Sequence, residues 1–417
     1  MNEGAVQLKE AKTLPDGWRW VKLGEVCDDT ETRDPTISPE TLFQYIDISG
    51  VDATTKRILS ARTILGKDAP SRARQVVKAD DILVATTRPN LNAVAIVPTE
   101  LDDEICSTGF CVLRPAREID PFFLFFFVQT NDFVRLVSGE VRGMLYPAIT
   151  DSQVRAISIP LPPLPEQQRI AARIQELMAE VEHARTACET QLEAAKTLPQ
   201  AYLRQVFESE EAKKWERRRL GEVCSADSGV WGDPSDGSPN CFPILRSNNI
   251  QNGTIVFDDV AVRKIGEPST PDKKCLATGD ILVTTSSGSK DLLGKGALFV
   301  QASDGQKYLF SNFTMRLRLN KEIVEPTFLY FYLQSPRAKR VLALLQDTTT
   351  GLRNLDRTEF LAQTVPVPLL TQQQRIASEL KEKIAQAEKL KQAIEKQLEA
   401  IKTLPQAILR KAFRGEL

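Results

Sequence analysis

The sequence predicts an α+β chain: two globular domains separated by two long antiparallel coiled-coil helices, with an internal pseudo-two-fold repeat. Three observations predict it. A helical block recurs without gaps at a fixed distance, the β-rich segments before it recur more loosely, and each copy ends in a long stretch with apolar residues every three or four positions.

The repeat fixes the order of the elements. Gln167-Gln168-Arg169-Ile170-Ala171 recurs as Gln373-Gln374-Arg375-Ile376-Ala377, an offset of 373 − 167 = 206. Leu192 to Ala201 recurs at the same offset as Leu398 to Ala407. An insertion would rotate a helix's buried face, so constant spacing marks one uninterrupted helix in each copy. Leu23 to Cys27 matches Leu220 to Cys224, Asp81 to Thr87 matches Asp280 to Ser286, and Pro121 to Gln129 matches Pro326 to Gln334. Here the offset drifts between 197 and 206, which places insertions in loops of the globular parts. A third fragment, Glu10-Ala11-Lys12-Thr13-Leu14-Pro15, echoes Ala194 to Pro199. It suggests a cyclic arrangement with the N-terminal stub near the end of the second repeat. The divisions are a stub over 1–17, domains over 18–164 and 208–370, and helices over 165–207 and 371–417.

Each domain opens on a short strand, Val21-Lys22-Leu23 and Arg218-Arg219-Leu220. Gln44 to Ile48, Ile82 to Ala85, Ala93 to Val97 and Cys111 to Leu113 are rich in β-branched residues and bounded by turn formers, so they read as strands. Pro121 to Val128 reads as a buried helix with proline in its first turn. The prolines at 160, 162, 163 and 165, and at 366 and 368, mark the domain exits. Beyond them the coiled-coil seam runs through Ile170, Ile174, Leu177, Val181, Ala184, Cys188 and Leu192. In the second copy it runs through Ile376, Leu380, Ile384, Ala387, Leu390, Ile394 and Leu398. About 30 residues before Thr-Leu-Pro correspond to a helix of about 45 Å. Two such rods pairing antiparallel would set two heads on one face of a duplex about one turn, roughly 34 Å, apart.

Composition bounds the function. The dense apolar run at Phe122 to Val128 is far shorter than the ~20 residues that span a bilayer. The N-terminus lacks the basic and apolar regions of a secretory signal, and seven scattered cysteines without a CxxC pair suit a reducing cytoplasm. A net charge of −1 is low for a nucleic-acid binder. However, Lys56, Arg57, Arg62, Lys67, Arg72, Arg74, Lys78 and Arg88 concentrate basic charge, and the Glu-rich helices offset it. His183 is the single histidine and aligns with Lys389, which argues against a zinc site, and it reads as a surface or seam residue rather than a general base. No GxxxxGK[ST] phosphate loop occurs, and the Asn/Asp-Pro-Pro-aromatic motif of amino-methyltransferases is missing.

Ile159-Pro160-Leu161-Pro162-Pro163-Leu164-Pro165-Glu166-Gln167-Gln168-Arg169-Ile170 leads into the first long helix, and Lys-Thr-Leu-Pro recurs at its end. With the opening Trp18 to Glu25 and the paired Asp-Ile-Leu-Val strands, the chain resembles the specificity subunit of type I restriction–modification systems over essentially its whole length. The second copy departs from the pattern with Val367 to Gln372 in place of Leu161 to Glu166, losing two prolines and a glutamate. The resemblance implies that each globular part is a target-recognition domain for half of a bipartite asymmetric site in double-stranded DNA. It implies that the helices dock two adenine methyltransferase subunits, and that restriction subunits join for cleavage. S-adenosylmethionine, ATP and magnesium would then belong to those partners, with no cofactor, metal or catalysis in this chain and no membrane association.

Base and phosphate reading needs Arg, Lys, Asn, Gln and hydroxyl side chains on projecting loops. The first domain offers Arg72, Arg74, Lys78, Thr86, Thr87, Arg88 and Asn90, and near its exit Arg142 and Tyr146. The second offers Arg246, Asn248, Asn249, Ser286, Ser287, Ser289 and Lys290, and near its exit Arg353, Asn354 and Arg357. The competing expectation is a coiled-coil protein-interaction scaffold without DNA binding. The sequence leaves open the target bases, the spacer length, and whether methylation and restriction partners are separate or fused.

Overall fold

A computed structural model of the chain describes residues 14–139, 148–251, 253–266, 271–287, 293–302, 304–349 and 352–417. It divides into two compact units, residues 1–189 with 396–417, and residues 190–395.

In unit 1 a strand at Arg19–Lys22 pairs antiparallel with Ser158–Leu161, so the first and last strands of the globular part lie side by side. Between them are two four-stranded sheets. One is ordered Arg62–Leu65, Leu42–Ile46, Ile105–Ser107, Ala73–Val76, and its Leu42–Ile46 and Ile105–Ser107 strands are parallel. The other is ordered Cys27–Asp28, Phe110–Pro115, Ile82–Ala85, Val94–Ile96. Ile82–Ala85 is buried at all four positions, because both faces of its sheet are covered. Leu83 and Ala85 pack with Ile46, Cys106 and Phe110 toward the first sheet. Ile82 and Val84 face the other way, onto Phe123, Ile170, Ile174 and Leu409. The period-two alternation of one strand therefore joins sheet to sheet and sheet to helix.

Unit 2 repeats this plan. Arg217–Arg219 pairs with Thr364–Pro366, and the central strand Ile281–Thr284 sends Leu282 toward Phe310 and sends Ile281 and Val283 toward Phe328 and Ile376. Matching ion pairs hold the central sheets. Arg114 reaches the buried Asp81 at 2.9 Å and Arg318 reaches the buried Asp280 at 2.8 Å. Each carboxylate also accepts a backbone N–H, from Lys78 and Ala277, both at 2.8 Å. Burial without these partners would be strongly unfavourable.

The two long helices span Leu164–Phe207, 44 residues, and Leu370–Ala412, 43 residues. Both run straight through Thr-Leu-Pro, with Pro199 and Pro405 inside them. At 1.5 Å per residue they are about 66 and 65 Å long, not the 45 Å expected from the stretch before the proline. A mid-helix proline costs roughly 3 kcal/mol. Burying Leu203 and Phe207 in unit 2, and Leu409 and Ala412 in unit 1, offsets that cost. Each unit consequently contains the start of one long helix and the end of the other. Phe413 lies 4.9 Å from Phe123 and 5.5 Å from Phe127, while Phe207, its repeat counterpart, lies 5.4 Å from Phe328 and 5.5 Å from Tyr332. Pro15 sits against Gly415, where an added Cβ would come within 2.4 Å of its ring. This places the end of the N-terminal stub beside the end of the second repeat, with Glu10 to Thr13 outside the described residues.

The seam differs from the sequence reading at one repeated position. Ile170, Ile174, Ile376, Leu380, Ala387, Ile394 and Leu398 are buried, and Leu177, Val181, Cys188, Leu192 and Ile384 half-buried. Leu390 is 48% exposed, and Ala184, its counterpart, is exposed too. The stripe passes instead through Lys391 and Arg185, both half-buried and again 206 apart. Stepping 384, 387, 391, 394, 398 keeps the alternating three-and-four spacing, which 390 breaks. Arg185 bonds Glu182 and Glu189, and Lys391 bonds Glu388, on their own helices.

Other boundaries moved: the strand read over Gln44 to Ile48 runs Leu42–Ile46, and the strand read to Leu220 ends at Arg219, where a short helix, Leu220–Val223, begins. The opening strand ends at Lys22, and Leu23–Glu25 forms a 3-10 turn. The helix at Pro121 ends at Phe127, with Phe122 partly exposed, and a second helix, Asn131–Ser138, follows.

Candidate nucleic-acid interface

The strand Ile82–Ala85 leads directly into a polar loop. Thr86 is buried, donating its hydroxyl to Gly109 O at 2.9 Å, whereas Thr87, Arg88 and Asn90 are exposed. A 3-10 turn at Pro89–Leu91 shapes the loop, bracketed by Arg88 (φ +51°) and Asn92 (φ +49°), both left-handed. Such backbone costs energy in a residue with a side chain and persists only where the surroundings hold it. Here the Lys56 ammonium reaches in from a neighbouring hairpin and donates to Asn92 O at 2.6 Å. Its burial pushes the Lys56 pKa down to about 8, against the weaker opposing pull of Asp52. On the far side Thr87 bridges Ala148, just before the short helix Asp151–Arg155.

Unit 2 builds the same corner from different residues. Ser286 pairs with Asn354 and Ser287 with Arg353, in a three-stranded sheet completed by Gln346–Thr349 and followed by the short helix Arg357–Ala362. Residues chosen from distant parts of the sequence thus meet on one edge. Asn354 is exposed and Ser286 half-buried.

The remaining candidates divide by what their side chains touch. Arg72 and Asn248 are exposed. Arg74 donates to Ala73 O at 2.7 Å and lies 3.5 Å from Asp34. Lys78 pairs with Asp103 at 2.7 Å, and this contact raises the lysine pKa and lowers that of the aspartate, which also binds Arg33. Asn249 is buried, its amide donating to Val256 O at 3.1 Å and Asp258 O at 3.2 Å. Arg357 bonds Ala226 O, and the buried Arg246 Nε has no hydrogen-bond partner. In Thr86, Arg74, Lys78, Asn249 and Arg357 the polar groups are therefore engaged within their own domain. Arg142, Tyr146, Ser289 and Lys290 lie outside the described residues. In the sequence Lys56 is one charge among many. Nothing in its local pattern announces that it holds a loop 36 residues away.

Among the described residues no cluster of His, Cys, Asp and Glu could hold a metal ion, and no helix is long and apolar enough to cross a membrane.

Two mixed-sheet domains with polar loop corners, joined by the long helices, define a class of DNA-specificity protein. Residues 15–190 and 212–400 match the family described as the type I restriction modification DNA specificity domain, and the chain belongs to that family. It is similar to the crystal structure of the HsdS subunit from Thermoanaerobacter tengcongensis: TM-score 0.73 and 34% identity, covering 97% of this chain and 98% of that one. A structure described under complex assembly and conformational transition of the type I R-M system matches with TM-score 0.75 and 33% identity, covering 97% and 100%. The EcoKI specificity subunit of Escherichia coli K12 is 26% identical, covering 98% of this chain and 90% of that protein. The chain is thus a type I specificity subunit with two DNA-recognition domains.

Proposed function

We propose that each unit reads one half of a bipartite asymmetric site in double-stranded DNA, and that the chain positions two adenine methyltransferase subunits and the restriction subunits on it. One observation carries this reading. The frameworks of the two units repeat, down to the Asp81–Arg114 and Asp280–Arg318 pairs, while the loop corners carry different polar residues. Equal scaffolds with unequal reading edges suit two different half-sites. Thr87, Arg88 and Asn90 in unit 1, and Asn248, Ser286, Ser287, Arg353 and Asn354 in unit 2, are the reading residues under this proposal. Catalysis, with its S-adenosylmethionine, ATP and magnesium, belongs to the partner subunits, and the assembly works in the cytoplasm.

Sequencing of methylated adenines in cells carrying the chain with its partners tests the proposal. The expected result is one split motif, and duplex binding that weakens steeply with salt as phosphate contacts are screened. Salt-independent behaviour and no motif would leave a protein scaffold. Replacing Arg88 or Asn354 by alanine is expected to relax discrimination in one half-site only, by about 1–3 kcal/mol per lost base contact.

A further inference from the structure

Trp231 stands on the surface of unit 2 with 71% of its area exposed, and Phe313 nearby in the fold is 43% exposed. Leaving an indole in water forgoes a large burial free energy. The backbone beneath Trp231 is held on both sides. Gly229 lies so close to the neighbouring strand that an added Cβ would fall 2.2 Å from Phe310 O and Ser311 O. At Gly232 it would fall 2.8 Å from Arg263 Cβ and Lys264 O. Between them Val230 N donates to Phe310 O at 2.8 Å, and Val230 O accepts from Asn312 N at 3.1 Å. The backbone that carries the indole is therefore closely packed on both sides.

This packing continues into the reading corner. Phe313 O accepts Thr285 N at 2.9 Å, and Thr285 O accepts Leu355 N at 2.9 Å, one residue from Ser286 and Asn354 respectively. Lys274 donates to Ser228 O at 2.8 Å and lies 3.8 Å from Asp227, and the Arg263 Cβ packs under Gly232. Asp236 is paired with Lys264 at 2.7 Å, and Asp233, two residues from Trp231, is exposed. Unit 1 has no aromatic at the position equivalent to Phe313. There Gly109 O accepts Thr86 N at 2.9 Å, the bond that Phe313 O makes with Thr285, so glycine stands where unit 2 has phenylalanine.

We propose that Trp231 packs against a base step of the duplex in the half-site read by unit 2, as an apolar wedge. Aromatic wedges unstack or cap a step and add affinity through the base face. The inference rests on the reading of unit 2 as a DNA-binding domain.

The test uses the full chain assembled with its cognate methyltransferase subunits and a duplex carrying the motif found by methylation sequencing. 2-Aminopurine is placed at successive positions in each half-site. Apart from the target adenines, which the methyltransferase subunits themselves unstack, wild type is expected to brighten the probe at one step in the half-site of unit 2. Trp231→Ala is expected to abolish that rise and weaken duplex binding about 5- to 100-fold, whereas Trp231→Phe keeps most of both. Unchanged affinity and fluorescence in Trp231→Ala would overturn the proposal. So would a loss traced by size-exclusion chromatography to failed assembly with the methyltransferase, which would make the indole a protein contact. If wild type itself shows no salt-sensitive duplex binding, the DNA reading of the chain fails first and separately.

Discussion

Gln167 closes its side chain on Asp120: the Oε1 atom accepts the Asp120 backbone N–H at 2.8 Å, while Nε2 donates to Glu118 O at 3.0 Å and Pro162 O at 2.9 Å. Gln373 does the same with Glu325 N (2.9 Å), Ile323 O (3.0 Å) and Pro368 O (2.8 Å). Both glutamines are fully buried. The Gln-Gln-Arg-Ile repeat thus begins with a clamp joining the domain exit, the start of the long helix and the aromatic helix. Gln167→Ala and Gln373→Ala would each strand three buried backbone groups, so each is expected to cost about 2–4 kcal/mol in urea unfolding. Gln→Glu should not rescue, because a carboxylate cannot donate to the two carbonyls.

The end of each long helix is part of a core. Phe207→Ala is expected to lower stability by about 3–5 kcal/mol, through lost contact with Phe328 and Tyr332 and the cavity left behind. Hydrogen exchange should quicken first in Pro326–Gln334. Phe413→Ala should do the same for Pro121–Phe127, where its ring packs.

Adjacent asparagines should separate cleanly. Asn249→Ala removes three internal hydrogen bonds of a buried amide, two donated and one accepted from Arg246 N, and is expected to destabilise the chain by about 1–3 kcal/mol. Asn248→Ala, at an exposed side chain, is expected to leave the unfolding curve within about 0.5 kcal/mol of wild type.

Lys56 ties loop stability to alkaline pH. Its folded pKa of about 8 lies below the ordinary value of 10.5, so between those values the unfolded chain binds more protons. Stability from this group therefore rises with pH across that window and is penalised below it. Measured against Lys56→Met from pH 7 to 10, the wild-type unfolding free energy is expected to gain on the variant as pH rises. A difference independent of pH would contradict the burial of the ammonium.

Thiol reactivity should follow burial. Desolvation pushes Cys27, Cys111 and Cys224 up to about 12, and Cys106 upward as well. Hydrogen bonds from Ser235 and Ser238 lower the Cys241 thiol. Maleimide labelling of the native chain at neutral pH is expected to modify Cys241 first and to leave these four untouched until unfolding.

The sequence by itself determined the doubling, the α+β character of each copy and the long helix that follows each globular part. A constant offset of 206, the buried strand at Ile82–Ala85 and the three-and-four spacing are local or periodic properties that a chain displays without its fold. Tertiary structure decided the rest. Pro199 and Pro405 read as helix ends, yet the helices continue because Phe207 and Leu409 are buried beyond them. Leu390 has the composition of a seam residue, and only the helix's rotation against its surroundings gives the place to Lys391. Among the candidate readers, Asn248 and Asn249 or Thr86 and Thr87 are alike as letters. Which one faces water depends on partners such as Val256 and Gly109, brought close only by folding. Polar side chains gain similar free energy from a buried carbonyl or from solvent and DNA, so composition cannot choose between these partners, and the geometry of the folded chain does.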